Sequence, residues 1–111
     1  MRRTLLATVS SLVLGASLSG TALATEGSVT SKIIRMYYYE GHAGLLIMLG
    51  TMSDLGGCGA STWYILPDTQ THYKEVVALL MSAEAQDKQV NITIGDCFQG
   101  YGRIKHAMLV E

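Results

Sequence analysis

The clearest period in the chain is the two-residue alternation of Val90-Asn91-Ile92-Thr93-Ile94, apolar and polar in turn, which predicts a half-buried strand. A helical period precedes it. Between Asp68 and Gln86, Tyr73, Val76, Val77, Leu80 and Ala83 or Glu84 recur at the i, i+3, i+4, i+7 spacing of an amphipathic helix. Asp68, Thr69 or Thr71 is the expected N-cap, because a side-chain oxygen there can accept from an otherwise unpaired backbone N–H. Further upstream, Lys32–Tyr39 is rich in β-branched and aromatic residues and reads as a strand. Its alternation sets Ile34, Met36 and Tyr38 on the inward face, against Ile33, Arg35, Tyr37 and Tyr39. The turn Glu40-Gly41-His42-Ala43-Gly44 joins it to Leu45–Leu49, an unbroken apolar run that needs cover on both faces. Thr62–Leu66 is a third strand, ended by Pro67. Gly95 ends the Val90–Ile94 strand, and Arg103–Val110 makes the last one. Neither face of that last strand is clean, which predicts a bulge or a change of partner within it.

The order is therefore β-β-β-α-β-β, mainly β with one helix. That is the element order of the OB fold, a small, partly open five-stranded Greek-key barrel with a helix at one end. An α+β sheet with the helix across one face satisfies the same order. The barrel accounts better for so short a chain, which has little material to cover both faces of an open sheet.

The N-terminus breaks this pattern. Arg2 and Arg3 precede an apolar run from Leu5 to Leu18, and Ala22-Leu23-Ala24 is a small-x-small cleavage site, so residues 1–24 read as a secretory signal peptide. An uncleaved membrane anchor is the competing reading. Ser10, Ser11, Gly15, Ser17, Ser19 and Gly20 interrupt the run and no charged stop-transfer flank follows, so no membrane association is expected after cleavage. The remaining plan is a polar leader at 25–31 and an OB-like domain at 32–111, exported to the periplasm or secreted. The whole chain of 111 residues carries a net charge of −1, and losing Arg2 and Arg3 makes the remainder more acidic. Such a surface argues against nucleic-acid binding, which depends on basic patches.

Export decides how the two cysteines are read. In an oxidising compartment Cys58 and Cys97, each in a glycine-rich stretch, pair as one disulfide joining the loop between strands two and three to the loop between strands four and five. A metal site built from both with His42, His72 or His106 is the alternative. It lacks CxxC or HxxxH spacing, so no metal and no cofactor is expected.

Candidate chemistry is sparse. A small hydrolase would have to use His42 with Glu40, or Asp96. Asn91-Ile92-Thr93 fits a glycosylation sequon but falls within the clearest strand. The chain has no strained nucleophile elbow and no phosphate-cradling glycine loop, and the expectation is a protein that is not an enzyme. Aromatic residues are the stronger lead. Six tyrosines and Trp63 exceed what a small core needs, and their faces stack on sugars or anchor protein interfaces. Tyr37, Tyr39 and Tyr101 are the candidate contact residues, with Asp96 beside Tyr101 as a hydrogen-bonding partner for a ligand; Trp63 and Tyr38 are expected in the core.

The signal peptide, the β-β-β-α-β-β order across Lys32–Val110, the single cysteine pair, and a helix of the Tyr73-Lys74-Glu75-Val76-Val77-Ala78-Leu79-Leu80 kind leading to Val90-Asn91-Ile92-Thr93-Ile94 carry a resemblance. The chain resembles small exported bacterial OB-fold proteins, the group of the B subunits of subtilase cytotoxin and of pertussis-like toxins. That resemblance implies ring pentamers, binding of cell-surface glycans, and a catalytic subunit on a separate chain. It assigns no sugar-binding residue here. The expectation is thus an exported binding or assembly module with a glycan or protein partner, and the alternative is an inhibitor or accessory protein of another enzyme.

Overall fold

The computed structural model describes residues 26–111, so the signal peptide expected at 1–24 lies outside the described residues. Five strands, β1 (Gly27–Tyr38), β2 (Gly44–Leu49), β3 (Tyr64–Pro67), β4 (Gln89–Phe98) and β5 (Tyr101–Leu109), and one helix, α1 (Tyr73–Ala85), follow the order β-β-β-α-β-β. The strands close on themselves in the order β1-β2-β3-β5-β4, an OB-like ring with a single parallel contact, between β3 and β5.

Strand β1 is longer than its apolar run. Gly27 to Lys32 pairs with Ile94 to Gln89 of β4, so residues expected as a polar leader instead close the ring. Their polarity is that of an outer face: Ser28 Oγ donates to Asn91 Oδ1 at 3.2 Å, and Asn91 Nδ2 donates to Thr30 Oγ1 at 2.8 Å. Facing inward, Val29 packs against the core and Ile33 is buried. At Ile34 the register with β2 slips, because Ile33 pairs with Leu49 and Arg35 with Met48. The extra residue rephases the strand. Ile34 is thereby exposed rather than inward, Met36 faces the core as expected, and Tyr38 runs past the mouth of the ring, where it is exposed and its hydroxyl lies 3.3 Å from that of Tyr73.

The interior is filled by Ile47, Leu49, Tyr64, Leu66, Val90, Ile92, Ile94 and Ile104. Helix α1 stoppers the end where β3 finishes and β4 begins, burying Leu80 and Ala83 and packing Tyr73, Val76 and Val77 against the same core. The stripe is the expected one, but the cap is not. The N-cap position is His72, in a left-handed conformation with φ 67° and no side-chain cap bond. The connection winds through two tight turns first, with Gln70 N donating to Pro67 O and Tyr73 N to Gln70 O, which leaves Asp68, Thr69 and Thr71 upstream of the helical start. At the other terminus Lys88 N reaches Ala83 O and Asp87 N reaches Glu84 O, a Schellman closure with Asp87 at φ 57°.

The opposite end is closed by the segment from Gly50 to Trp63. Met52 and Leu55 pack on the core, and Leu55 occupies space left by two glycines: a Cβ on Gly27 would fall 2.7 Å from Leu55 Cδ2, and one on Gly102 would fall 2.8 Å from Leu55 O. Asp54 organises the following turn, its Oδ1 accepting from Cys58 N at 3.0 Å and Gly59 N at 3.1 Å. Cys58 is bonded to Cys97 there, with Cα atoms 5.7 Å apart. Cys97 sits on β4 rather than in a loop. Strand β4 runs through Gly95 to Phe98, and a two-residue turn, Gln99-Gly100, with φ of 52° and 89°, returns the chain directly into β5. The irregularity expected in β5 is present: Thr93 pairs with His106 and Ile94 with Ile104, leaving Lys105 as the extra residue.

Candidate functional site

The outer face of β2 and β3 carries the candidate surface. Along β2 all residues but Met48 are buried, and all of β3 is buried, although alternate side chains must point out of the ring. Leu46 and Ile65 are these outward residues: they are 2% and 0% exposed, yet they stand outside the cluster that fills the interior. Burial outside a ring requires a second layer. The register supplies its position, with Tyr37 of β1 beside Leu46 and Arg103 of β5 beside Ile65.

That layer is a run of five rings. Trp63 stacks on Tyr37 with centroids 5.5 Å apart, Tyr37 meets Tyr39 at 5.5 Å, Tyr39 meets His42 at 5.0 Å, and His42 meets Tyr101 at 5.3 Å. Sequence reasoning named Tyr37, Tyr39 and Tyr101, and the structure brings all three together. It missed the other two rings of the run, His42, which joins Tyr39 to Tyr101, and Trp63, which ends it on Tyr37. Trp63 is half-buried outside the interior cluster instead of being core, and Tyr64, the next residue, is the aromatic that fills the ring. His42 is sandwiched in the run, and its Nδ1 is buried with no hydrogen-bond partner among the described residues. The detectable signal for this layer was the unbroken apolar run of β2, which requires something to cover its outward residues.

Two turns fix the rings. His42 N donates to Tyr39 O at 3.0 Å, closing a β-turn in which Gly41 has φ 99°, a conformation that a side chain would strain. Ala43 then ties this turn to distant chain: its N–H donates to Gln99 Oε1 at 2.7 Å, and its carbonyl accepts from Asp68 N at 2.9 Å. The tip of the β4–β5 hairpin therefore reaches over β3 and β2 to the β1–β2 turn, which is how Tyr101 comes to His42. At the Trp63 end, Arg35, Met36, Tyr37 and Trp63 line a cleft of about 370 Å³. Arg35 is exposed and takes part in none of the ion pairs among the described residues.

Asp96 stands apart from the rings. Its Oδ1 accepts from Arg103 Nε at 2.6 Å, and Arg103 Nη1 donates to Gln70 Oε1 at 3.0 Å, so the carboxylate is held in a bridge between β4, β5 and the segment before α1. The hydrogen bond from Arg103 holds its pKa below the ordinary 3.8, against a smaller opposing effect of desolvation. A carboxylate depressed in the folded state stabilises it fully above its unfolded pKa, and that contribution is lost as pH falls through the folded value. Acid titration of stability is therefore expected to show a drop beginning below about pH 4 that Asp96→Asn reduces. An identical acid limb in wild type and variant would show that the bridge is not coupled to folding.

The histidines are dispersed. His72 is at the start of α1, 3.9 Å from Glu75, and His106 is exposed on β5. Among the described residues no group of three or more His, Cys, Asp or Glu side chains is arranged to hold a metal ion, and no helix is long and apolar enough to cross a membrane. The geometry that remains is a run of aromatic rings with Arg35 at the cleft at one end. No protein-family model matches the chain, and neither a curated protein nor a solved structure is significantly similar to it.

Proposed function

We propose that the protein is an exported, non-catalytic binding module that takes a glycan or protein partner on its outer aromatic face. The run of rings from Trp63 to Tyr101 carries this reading, because Tyr37 and Tyr39 remain 45% and 47% exposed within a layer that is otherwise packed. Tyrosine and tryptophan faces combine apolar area with a polar edge and few rotatable bonds, which suits both sugar stacking and protein contact. The disulfide and the leader read at residues 1–24 are consistent with an oxidising compartment outside the cytoplasm. The likeness to toxin B subunits adds a ring pentamer to the reading, with any catalytic activity on another chain.

Glycan-array screening and protein display against the exported, oxidised protein test it. A ligand found by either route should bind about thirtyfold more weakly to a Tyr37→Ala, Trp63→Ala variant, the loss of one interface hot spot. A ligand indifferent to both substitutions, or catalytic turnover by the protein alone, would defeat the proposal. Light scattering reads the assembly: a mass of five chains supports the ring, and one chain leaves a stand-alone binder.

A further inference from the structure

The tip of the β4–β5 hairpin, residues 98–101, is anchored at its base and latched at its end. At the base, Cys97 is bonded to Cys58, and Gly102 is seated where a Cβ would fall 2.7 Å from Ile94 Cγ2. Pairing with β3 begins only at Gly102, so the tip has its own ladder alone, Phe98 with Tyr101. At the end, Gln99 Oε1 accepts from Ala43 N at 2.7 Å, and Tyr101 meets His42 with ring centroids 5.3 Å apart. Two features oppose this closed arrangement. Gln99 has φ 52°, a left-handed backbone that a hairpin turn normally gives to glycine, asparagine or aspartate. His42 Nδ1 is buried with no hydrogen-bond partner among the described residues, and an unpaired polar atom opposes the burial of the group that carries it. Lifting the tip lets water reach His42 and lets the turn relax.

We propose that residues 98–101 form a strap over the β1–β2 turn, latched by Gln99 and kept near balance by His42, which opens while the rest of the ring stays folded. The fixed parts on either side keep the opening local. Cys97 and Gly102 remain as hinges, and the β1–β2 turn keeps its own bonds, His42 N to Tyr39 O and Asp68 N to Ala43 O. Closed, the strap sets Tyr101 against His42 and completes the run of rings. Open, it ends the run at His42 and gives the Ala43 N–H to water. Such an equilibrium responds to whatever prefers one state over the other. A ligand that touches His42 and Tyr101 together selects the closed state, which makes Gln99 a positioning residue for that end of the aromatic face. The strap goes beyond the binding-module reading, and it stands or falls without a ligand.

Native-state hydrogen exchange of the oxidised protein tests it through the Ala43 amide, whose partner is the latch itself. Ala43 should exchange by a local opening, at a rate insensitive to low denaturant, whereas the amides of Val90 and Ile92, in a strand paired on both sides, follow global unfolding. Gln99→Ala should speed Ala43 exchange about tenfold, the worth of one hydrogen bond. It should also move the His42 ring resonances away from the shifts that Tyr101 imposes, with the urea midpoint held. Gln99→Glu keeps an acceptor oxygen at the same reach and should leave both readouts near wild type. His42→Phe keeps a ring and removes the unpaired nitrogen, so it should slow Ala43 exchange about tenfold, the lower end of the penalty for an unpaired buried group. Equal Ala43 exchange in wild type and Gln99→Ala would overturn the latch. Ala43 exchange that tracks global unfolding would overturn the local opening, and His42→Phe exchanging as fast as wild type would overturn the balance assigned to His42. Should His42→Phe fail to fold, the wild-type denaturant series and the two Gln99 variants decide the matter on their own.

Discussion

Replacing Cys58 and Cys97 by alanine is expected to cost about 4 kcal/mol of stability, the largest effect of any change outside the interior. The bond spans a sequence separation of 39 residues, and a loop of that length has much denatured-state freedom to lose. Small domains have roughly 5 to 15 kcal/mol in all, so the variant should sit near its unfolding threshold at physiological temperature. Urea unfolding of the oxidised wild type, the reduced wild type and the double variant measures the effect. The two forms without the bond should agree with each other and unfold at much lower denaturant. An unchanged midpoint would mean that the stopper from Gly50 to Trp63 holds itself in place through Leu55, Met52 and the Asp54 turn alone.

Tyr64→Ala should be comparably damaging, at about 3 to 5 kcal/mol, the range for truncating a large buried aromatic. Tyr64 has no exposure and lies among the residues that fill the ring. Its hydroxyl donates to Ser53 O at 3.0 Å and accepts from Ser53 N at 3.4 Å, tying the interior to the closing segment. Tyr64→Phe removes only that tie and should cost about 1 kcal/mol, since exposed Ser53 can turn to water. Denaturant midpoints of the two variants separate packing from hydrogen bonding. A phenylalanine variant as unstable as the alanine variant would show that the hydroxyl, not the ring, carries the contribution.

The sequence was most informative where a period was clean. The Val90–Ile94 alternation and the Tyr73–Ala83 stripe both appear in place, and the single cysteine pair is bonded. The errors share a cause, which is that one chain does not display its partners. Gly27–Ser31 looks like leader because Ser28 and Thr30 are polar, and only Asn91 across the ladder explains them. Ile34 looks like core because a bulge is invisible until the register of β2 is known. Gly95 looks like a strand end, but the strand passes through it, and the side chain it lacks leaves room for that of Lys105. In the site, Tyr37, Tyr39 and Tyr101 could be singled out by residue type. The meeting of Tyr39 and Tyr101 across His42 depends on the hairpin tip crossing the outer face, a tertiary contact with no local signature.

The pairing of Gly27 with Ile94 also governs when the molecule can assemble. The first strand to emerge in the described chain needs the fourth as a neighbour, so the ring cannot close until β4 is made. Only the β1–β2 hairpin and the helix are local enough to form sooner. Non-local pairing of this kind slows folding, because loop entropy is lost before the contacts that offset it exist. That delay keeps the ring open until the far end of the chain is available, and closure follows.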